Sequence, residues 1–287
     1  SLRRQRQMCI RDRAYASSLR SMQRYLGKKD FPFIKLSSRI ISDYQGKLLA
    51  SGICDNTIGF YLHNIKALFR KGCREMGLEL PCPFRDISIK TEKTLKRSLD
   101  PVVIKTLSAI ELEKDSPLSL ARDIFMFSFY TRGMSFVDIA LLKKRHVFPG
   151  EICYRRHKTD QLMRVGINKE ISRILERYKN VPGEYIFPLF PAERDPYAGY
   201  RNAYHRIRYS LGKISRVIGL EFPLRLHAAR HSWATIAKVN GASVHVIGEC
   251  LGHTSEKTTR IYLKELDHSA LDAVNNQVAD FILAVDD

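Results

Sequence analysis

The sequence predicts a mainly α fold with one small β-hairpin sheet, an α+β arrangement spread over two domains. Three observations carry this expectation. Apolar residues recur at helical spacing over most of the 287 residues. One stretch, Val147 to Ile167, reads instead as strands around a polar centre. A polar, basic segment without any apolar stripe, Lys90 to Arg97, follows the breaks at Pro81 and Pro83 and precedes a helix start at Asp100-Pro101. The boundaries expected are therefore a helical domain over 14–88, a linker over 89–99 and a second domain over 100–287. Residues 1–13 carry five arginines and no apolar stripe, and are set apart as a basic arm or as a stretch not native to the protein. A secretory signal is excluded there because the apolar centre is missing.

Within the first domain, Ser38 precedes a stripe of Ile40, Ile41, Tyr44, Leu48 and Leu49 that ends at Gly52. Asn56 or Thr57 is expected to cap the next helix, with Ile58, Tyr61, Leu62, Ile65, Leu68 and Phe69 on its apolar face and Gly77 as its stop. The other face carries His63, Lys66, Arg70, Lys71 and Arg74. In the second domain, helices are expected near 101–113 and 117–131. The hairpin follows, with Arg155-Arg156-His157-Lys158-Thr159-Asp160-Gln161 at its tip. Further helices are expected over 168–178, 197–218, 228–239, 243–250, 255–263 and 268–284.

Charge narrows the partner. The formal net charge is +18, and residues 1–100 hold 21 Lys and Arg against 9 acids. So large an excess suits a polyanion, above all nucleic acid. An all-positive helix face at Lys66, Arg70 and Arg74, and the basic linker with Lys93, Lys96 and Arg97, are the expected phosphate contacts; the plainer reading of each is a solvated face. No run of about 18 apolar residues suggests a membrane span. The six cysteines form no CxxC pair, so neither a zinc ribbon nor a thioredoxin-like site is supported, and a reducing cytoplasm is expected.

The last third holds the chemistry. His227-Ala-Ala-Arg230-His231 is followed by Leu251-Gly252-His253 and then Tyr262. Arg230 offers a fork of donors that matches a phosphate. His227 shares its helix face. Tyr262 offers a phenolic oxygen able to form a covalent intermediate. His227 and His231 have the i, i+4 spacing of a zinc pair, but the glutamate of HExxH is missing and no third ligand is nearby. Neither a P-loop nor a GxGxxG supports nucleotide hydrolysis, and no serine or cysteine triad signature appears. Each residue alone is ordinary; their joint occurrence in this order is not.

On these residues the chain resembles the tyrosine site-specific recombinases of the phage integrase family, over nearly all its length from Ala14. His227-Ala-Ala-Arg230-His231-Ser232-Trp233 resembles the family's second box. Leu251-Gly252-His253 through Tyr262 resembles its nucleophile box, and the Lys158 hairpin its catalytic lysine hairpin. One box departs. Aligning Gly133, Asp138 and Leu142-Lys143 puts Ser135 where the first catalytic arginine is expected, with Arg132 three residues earlier. Either Arg132 reaches the same phosphate, or it is structural and the site manages with one arginine. A branch associated with mobile elements and DNA inversion shares this Arg-Gly-Met-Ser style.

The resemblance implies site-specific DNA strand cleavage and rejoining through a 3′-phosphotyrosyl link, without metal, ATP or other cofactor. Tyr262 is implied as nucleophile, Arg230 and Arg132 as charge stabilisers, and Lys158 as general acid. His227 is implied as proton acceptor, His253 as a phosphate ligand and Asp138 as supporting acid. It further implies a helical core-binding domain that closes a C-shaped clamp on double-stranded DNA with inverted-repeat core sites. An amphipathic tail over Asp267–Phe281 is implied to dock into a neighbour, the plainer reading being that it packs on its own domain. The protein would then be a homotetramer on two sites and a monomer or weak dimer off DNA, in the bacterial cytoplasm at the nucleoid, with room for an accessory DNA-bending protein. The leading roles are DNA invertase and mobile-element integrase, with replicon-dimer resolution third; the lack of an obvious extra amino-terminal arm-binding domain leans toward inversion. A different reading, favoured by Ser135 alone, is a sequence-specific DNA-binding protein without catalysis. A type IB topoisomerase would share the chemistry but not the tail.

Overall fold

The computed structural model describes residues 2–28, 30–90, 92, 98–190, 196–253, 255–263 and 278; of these, the side chains of 2–11, 33, 196–198, 257, 261 and 262 lie outside the description. The chain divides into two compact units, Ser1–Thr94 and Leu95–Asp287.

The first unit is built from α1 (Leu2–Leu26), α2 (Ser38–Ala50) and α3 (Asp55–Glu75). Its start runs further than expected: α1 takes in residues 2–13, set apart from sequence as a basic arm or a non-native stretch. No Gly or Pro interrupts this run, and arginine is a good helix former. Ser37 caps α2, its hydroxyl accepting from the Ile40 N–H at 3.4 Å. The cap of α3 also differs from expectation. Cys54 holds that position without a side-chain cap bond. Asn56 is used elsewhere: its amide donates to the Glu92 carbonyl at 2.9 Å and accepts from the Glu92 N–H at 3.1 Å. Met22, Ile41, Tyr44, Ile58, Leu62, Ile65, Phe69 and Phe84 form the core. Tyr44 is fully buried there because its hydroxyl donates to Ser21 Oγ at 2.8 Å. Leu49, read as part of the stripe, is exposed. Ile89, at the start of the expected linker, packs on this core.

The second unit runs α4 (Pro101–Ala109), α5 (Pro117–Tyr130), α6 (Phe136–Ala140), β1 (Val147–Phe148), β2 (Glu151–Arg155), β3 (Leu162–Gly166), α7 (Lys169–Arg177), α8 (Pro196–Val217), α9 (Leu226–Val239), α10 (Val244–Leu251) and α11 (Glu256–Leu263). Asp100 caps α4 through Val102 N–H at 2.8 Å, with Pro101 in the first turn. The helix stops at Ala109, short of 113. Helix α6 is not foreseen in the sequence, because its five residues are too few for a period to show.

Helix α5 is central, packed by α4, α7, α8 and α9. Ala121, Ile124, Phe125, Met126 and Phe127 are buried, so it is apolar nearly all round. Its one buried charge, Asp123, accepts from Arg122 at 2.6 Å, Arg177 at 2.7 Å and the Tyr178 hydroxyl at 2.9 Å. That network satisfies the carboxylate and ties α7 to α5. The sheet order is β1-β2-β3, all antiparallel, with Ile152 opposite Val165 and Tyr154 opposite Met163. These four side chains are buried and alternate with exposed or half-buried ones, which fixes the hairpin's register on the core. Leu99, at the end of the expected linker, is buried in this unit, its N–H donating to Ser232 Oγ at 2.7 Å. Among the described residues no helix is long and apolar enough to cross a membrane.

Candidate active site

Arg230 lies in the first turns of α9 and is 6% exposed. Three contacts place its guanidinium: Nη1 donates to the Gly133 carbonyl at 2.9 Å, Nη2 to the Leu251 carbonyl at 2.5 Å, and Nη2 also to His253 Nε2 at 3.2 Å. None of these three partners is negatively charged. They hold the planar fork in a fixed direction.

The Gly133 carbonyl is presented by the turn that ends α5. Thr131 closes the helix, donating to the Phe127 carbonyl at 2.6 Å, and Ser128 Oγ donates to the Met134 carbonyl at 2.8 Å. Between them Arg132 (φ 60°) and Gly133 (φ 74°) both adopt left-handed backbone. Gly133 is obligatory for a second reason, since a Cβ there would stand 2.5 Å from Arg230 Cγ. Arg132 has no such excuse, and its conformation costs on the order of 1–2 kcal/mol. Its Nη1 lies 3.4 Å from the Arg164 carbonyl of β3. Ser135, at the expected arginine's place, opens α6 and donates to Asp138 Oδ2 at 2.5 Å.

Asp138 is buried, and its other oxygen accepts from the His157 N–H at 2.7 Å. It therefore joins α6 to the hairpin turn one residue before Lys158. The turn is closed by Arg156 N–H to the Gln161 carbonyl and Asp160 N–H to the Arg156 carbonyl, and it leaves Lys158 exposed.

His253 follows Gly252, which ends α10 in the left-handed conformation. Its ring lies between Arg230 and the hydroxyl of Thr259 on α11, with Nδ1 2.9 Å from Oγ1. Burial, then the charges of Arg230, Arg156 and Lys158, lower its pKa to about 4. The ring is neutral near pH 7, with Nε2 as acceptor and Nδ1–H as donor. The hairpin reaches this neighbourhood through Arg156, which donates to the Gly252 carbonyl.

His227 is exposed in the first turn of α9, its ring edge-on to buried His231 at 4.5 Å between centroids. Tyr262 lies on α11, three residues past Thr259; its side chain is outside the described residues. Tyr154 is a poor nucleophile. Burial first, and then the charge of Asp138, push its pKa far up and keep the phenol protonated. On α3, Arg70 and Arg74 are exposed and Lys66 is half-buried. Lys93, Lys96, Arg97 and the Asp267–Phe281 tail, apart from exposed Val278, lie outside the described residues. Sequence reasoning passed over Arg156, Thr259 and the Ser135 bond to Asp138. Arg156 was one cation among several at the tip, and Thr259 one of two adjacent threonines. Only the fold shows which one bonds.

Comparison with known proteins decides the family. The pattern of the phage integrase family matches residues 98–268, and that of the phage integrase SAM-like domain matches residues 5–84. The chain belongs to the phage integrase family. As a phage integrase it is a tyrosine recombinase, an enzyme of site-specific DNA recombination that cuts and rejoins strands. The tyrosine recombinase XerC of Shewanella oneidensis is 26% identical over 226 residues, covering 75% of this chain and 70% of the relative. The tyrosine recombinase XerD of Pseudomonas putida is 36% identical over 94 residues, 31% and 30% of the two chains. Two solved structures share the phage integrase fold at low identity. A lambda integrase dimer bound to a COC′ core site has a TM-score of 0.65 at 17% identity, covering 88% of each chain. The Tn1549 transposon integrase in complex with a circular intermediate DNA has a TM-score of 0.64 at 16% identity, covering 92% of this chain and 98% of that one.

Proposed function

We propose that Tyr262, Arg230, His227, Lys158 and His253, supported by Asp138, carry out the strand exchange, and that the protein inverts DNA or integrates a mobile element. The observation that carries this reading is Arg230 held by the Gly133 and Leu251 carbonyls and by His253, with the Lys158 turn tied through Arg156 to the Gly252 carbonyl beside them.

In the cleavage step the Tyr262 oxygen bonds to the scissile phosphorus and the bond from phosphorus to the 5′ oxygen breaks. The phenolic proton passes to His227, and Lys158 gives a proton to the leaving oxygen. Charge on the non-bridging oxygens is met by Arg230, a contribution typically on the order of 3–4 kcal/mol per donor. His253 orients Arg230; for it to bond the phosphate itself, Nε2 needs a proton, which the phosphate's own negative charge favours. Arg132 stands next to the carbonyl that holds Arg230, and a strained backbone at that position supports a role as the second phosphate ligand. The phosphotyrosine conserves the bond energy, so rejoining needs no ATP, and the cations take the part a metal plays elsewhere.

The first unit, Ser1–Thr94, is proposed as the core-binding domain, with Lys66, Arg70 and Arg74, then Lys93, Lys96 and Arg97, on the phosphates. A tetramer on two sites, joined through the Asp267–Phe281 tail, follows the arrangement named for a lambda integrase tetramer bound to a Holliday junction, which shares the fold with a TM-score of 0.65. An accessory DNA-bending protein fits the same scheme. Ser135 at the usual arginine's place supports the second reading, a DNA-binding member without catalysis.

The test is a nicked suicide duplex carrying inverted repeats from beside the gene, incubated with chelator and resolved on a denaturing gel. A covalent adduct that Tyr262→Phe abolishes is the expected result, with Arg132→Ala reporting whether the displaced arginine serves. Sequence-specific binding without any adduct would overturn catalysis in favour of the second reading.

A further inference from the structure

The hairpin's own hydrogen bonds, Arg156 N–H to the Gln161 carbonyl and Asp160 N–H to the Arg156 carbonyl, close the turn but do not attach it to the rest of the site. Two contacts from outside it bear on this attachment. Asp138 holds the His157 N–H on one side. On the other, Arg156 Nη1 donates to the Gly252 carbonyl. The Arg156 stem lies directly on Gly252, where a Cβ would stand 3.3 Å from Arg156 Cδ and 2.9 Å from Met163 Sδ. Gly252 also has φ 62°, so backbone and contact both demand glycine here. It immediately precedes His253, whose ring accepts from Arg230. One half-buried side chain thus runs from the turn of Lys158 to the residue beside the His253–Arg230 pair.

We propose that Arg156 is a positioning residue for strand cleavage, docking the Lys158 turn on the Gly252 carbonyl so that the proton donor and the His253–Arg230 pair are placed together. This rests on Lys158 as the general acid. An exposed lysine on a hairpin tip is a poor acid unless its turn is held, because proton transfer needs hydrogen-bond reach to the leaving oxygen. Arginine suits the docking because its planar guanidinium keeps its charge and its donors in fixed directions. Its positive charge also discourages protonation of His253, as the lowered pKa of that ring records.

The experiment compares cleavage of the ordinary phosphodiester with cleavage of a duplex whose 5′ bridging oxygen is sulfur. In the sulfur substrate the bond from phosphorus to sulfur breaks, and the thiolate leaves without a proton because a thiol is far more acidic than an alcohol. With oxygen, Arg156→Ala is expected to slow adduct formation on the order of 10²-fold, within the range of a lost general acid. With sulfur it is expected to return to within a few-fold of the unaltered protein. Lys158→Ala is run beside it. If sulfur fails to rescue Lys158→Ala, the acid assignment falls and this inference with it. If sulfur rescues Lys158→Ala but not Arg156→Ala, or if Arg156→Ala cleaves oxygen at full rate, Arg156 is not positioning the acid. Should Arg156→Ala fail to fold, Arg156→Gln, which keeps a donor on a similar stem, is read instead. It must show a smaller loss that sulfur removes, and a loss indifferent to sulfur overturns the proposal.

Discussion

Arg230 shows how single positions decide this site. A buried guanidinium held by carbonyls is useful only if the backbone comes close enough, and Gly133 is what lets it. Gly133→Ala would force a left-handed alanine and a Cβ at 2.5 Å from Arg230 Cγ. The expected cost is roughly 2–4 kcal/mol in denaturant unfolding, together with loss of the covalent adduct. Gly150→Ala is the control: its φ is 80° but nothing lies within 4 Å of the added Cβ, so backbone strain alone should cost about 1–2 kcal/mol. Equal losses at the two positions would mean that Arg230 yields easily. His253 makes a second prediction at this scale. Its pKa falls from 6.5 to about 4 in the folded protein. Between those values the unfolded chain binds a proton that the folded one refuses, so stability rises with pH across that window and declines as pH drops through it. Above about 6.5 this group adds no slope. His253→Asn should flatten the unfolding midpoint's dependence on pH between about 4 and 6.5 relative to the unaltered protein. An unchanged slope would show that the ring protonates normally in the fold.

At the scale of elements, the helix that carries Tyr262 is placed by a close approach. A Cβ on Gly248 of α10 would stand 2.7 Å from Thr259 Oγ1 of α11, and that same hydroxyl bonds the His253 ring. Gly248→Ala is expected to push α11 outward and slow adduct formation on the order of 10-fold or more while DNA binding persists. Adding Thr259→Ala makes room for the new methyl, so the double variant should regain thermal stability but not cleavage. Recovery of both would reduce the Thr259 bond to packing. Most elements were legible beforehand because period, caps and punctuation agreed, as at Asp100-Pro101 and along α3. The failures have physical causes. Helix α6 is shorter than two turns. Asn56 carries a good capping side chain that long-range pairing with Glu92 claims instead. The arginines of α1 conceal a helix whose apolar face is thin at its start. The site residues were readable by type and order, but the contacts of Arg156, Ser135 and Thr259 depend on which turns meet, and spacing along the chain does not encode that.

For the whole molecule, charge is the property that reaches furthest. Of the net charge of +18, residues 1–100 carry 21 cations against 9 acids, so the front of the chain should be the stronger electrostatic partner for DNA. Arg70 and Arg74 on α3 are exposed with Lys66 beside them at helical spacing, whereas Lys71 on the neighbouring stripe lies 3.7 Å from Glu75. Each phosphate contact releases condensed counterions, so log Kd against log salt should shift by about 0.9 per contact removed. Replacing Lys66, Arg70 and Arg74 together by alanine should flatten that slope by as many contacts as they make. The loss of affinity should be alike for specific and unrelated duplexes, because phosphate contacts carry no sequence. Arg132→Ala, placed at the catalytic end, should change the slope by at most one contact while suppressing the adduct. If the triple variant instead keeps its salt slope and loses only sequence preference, the α3 face reads bases rather than phosphates.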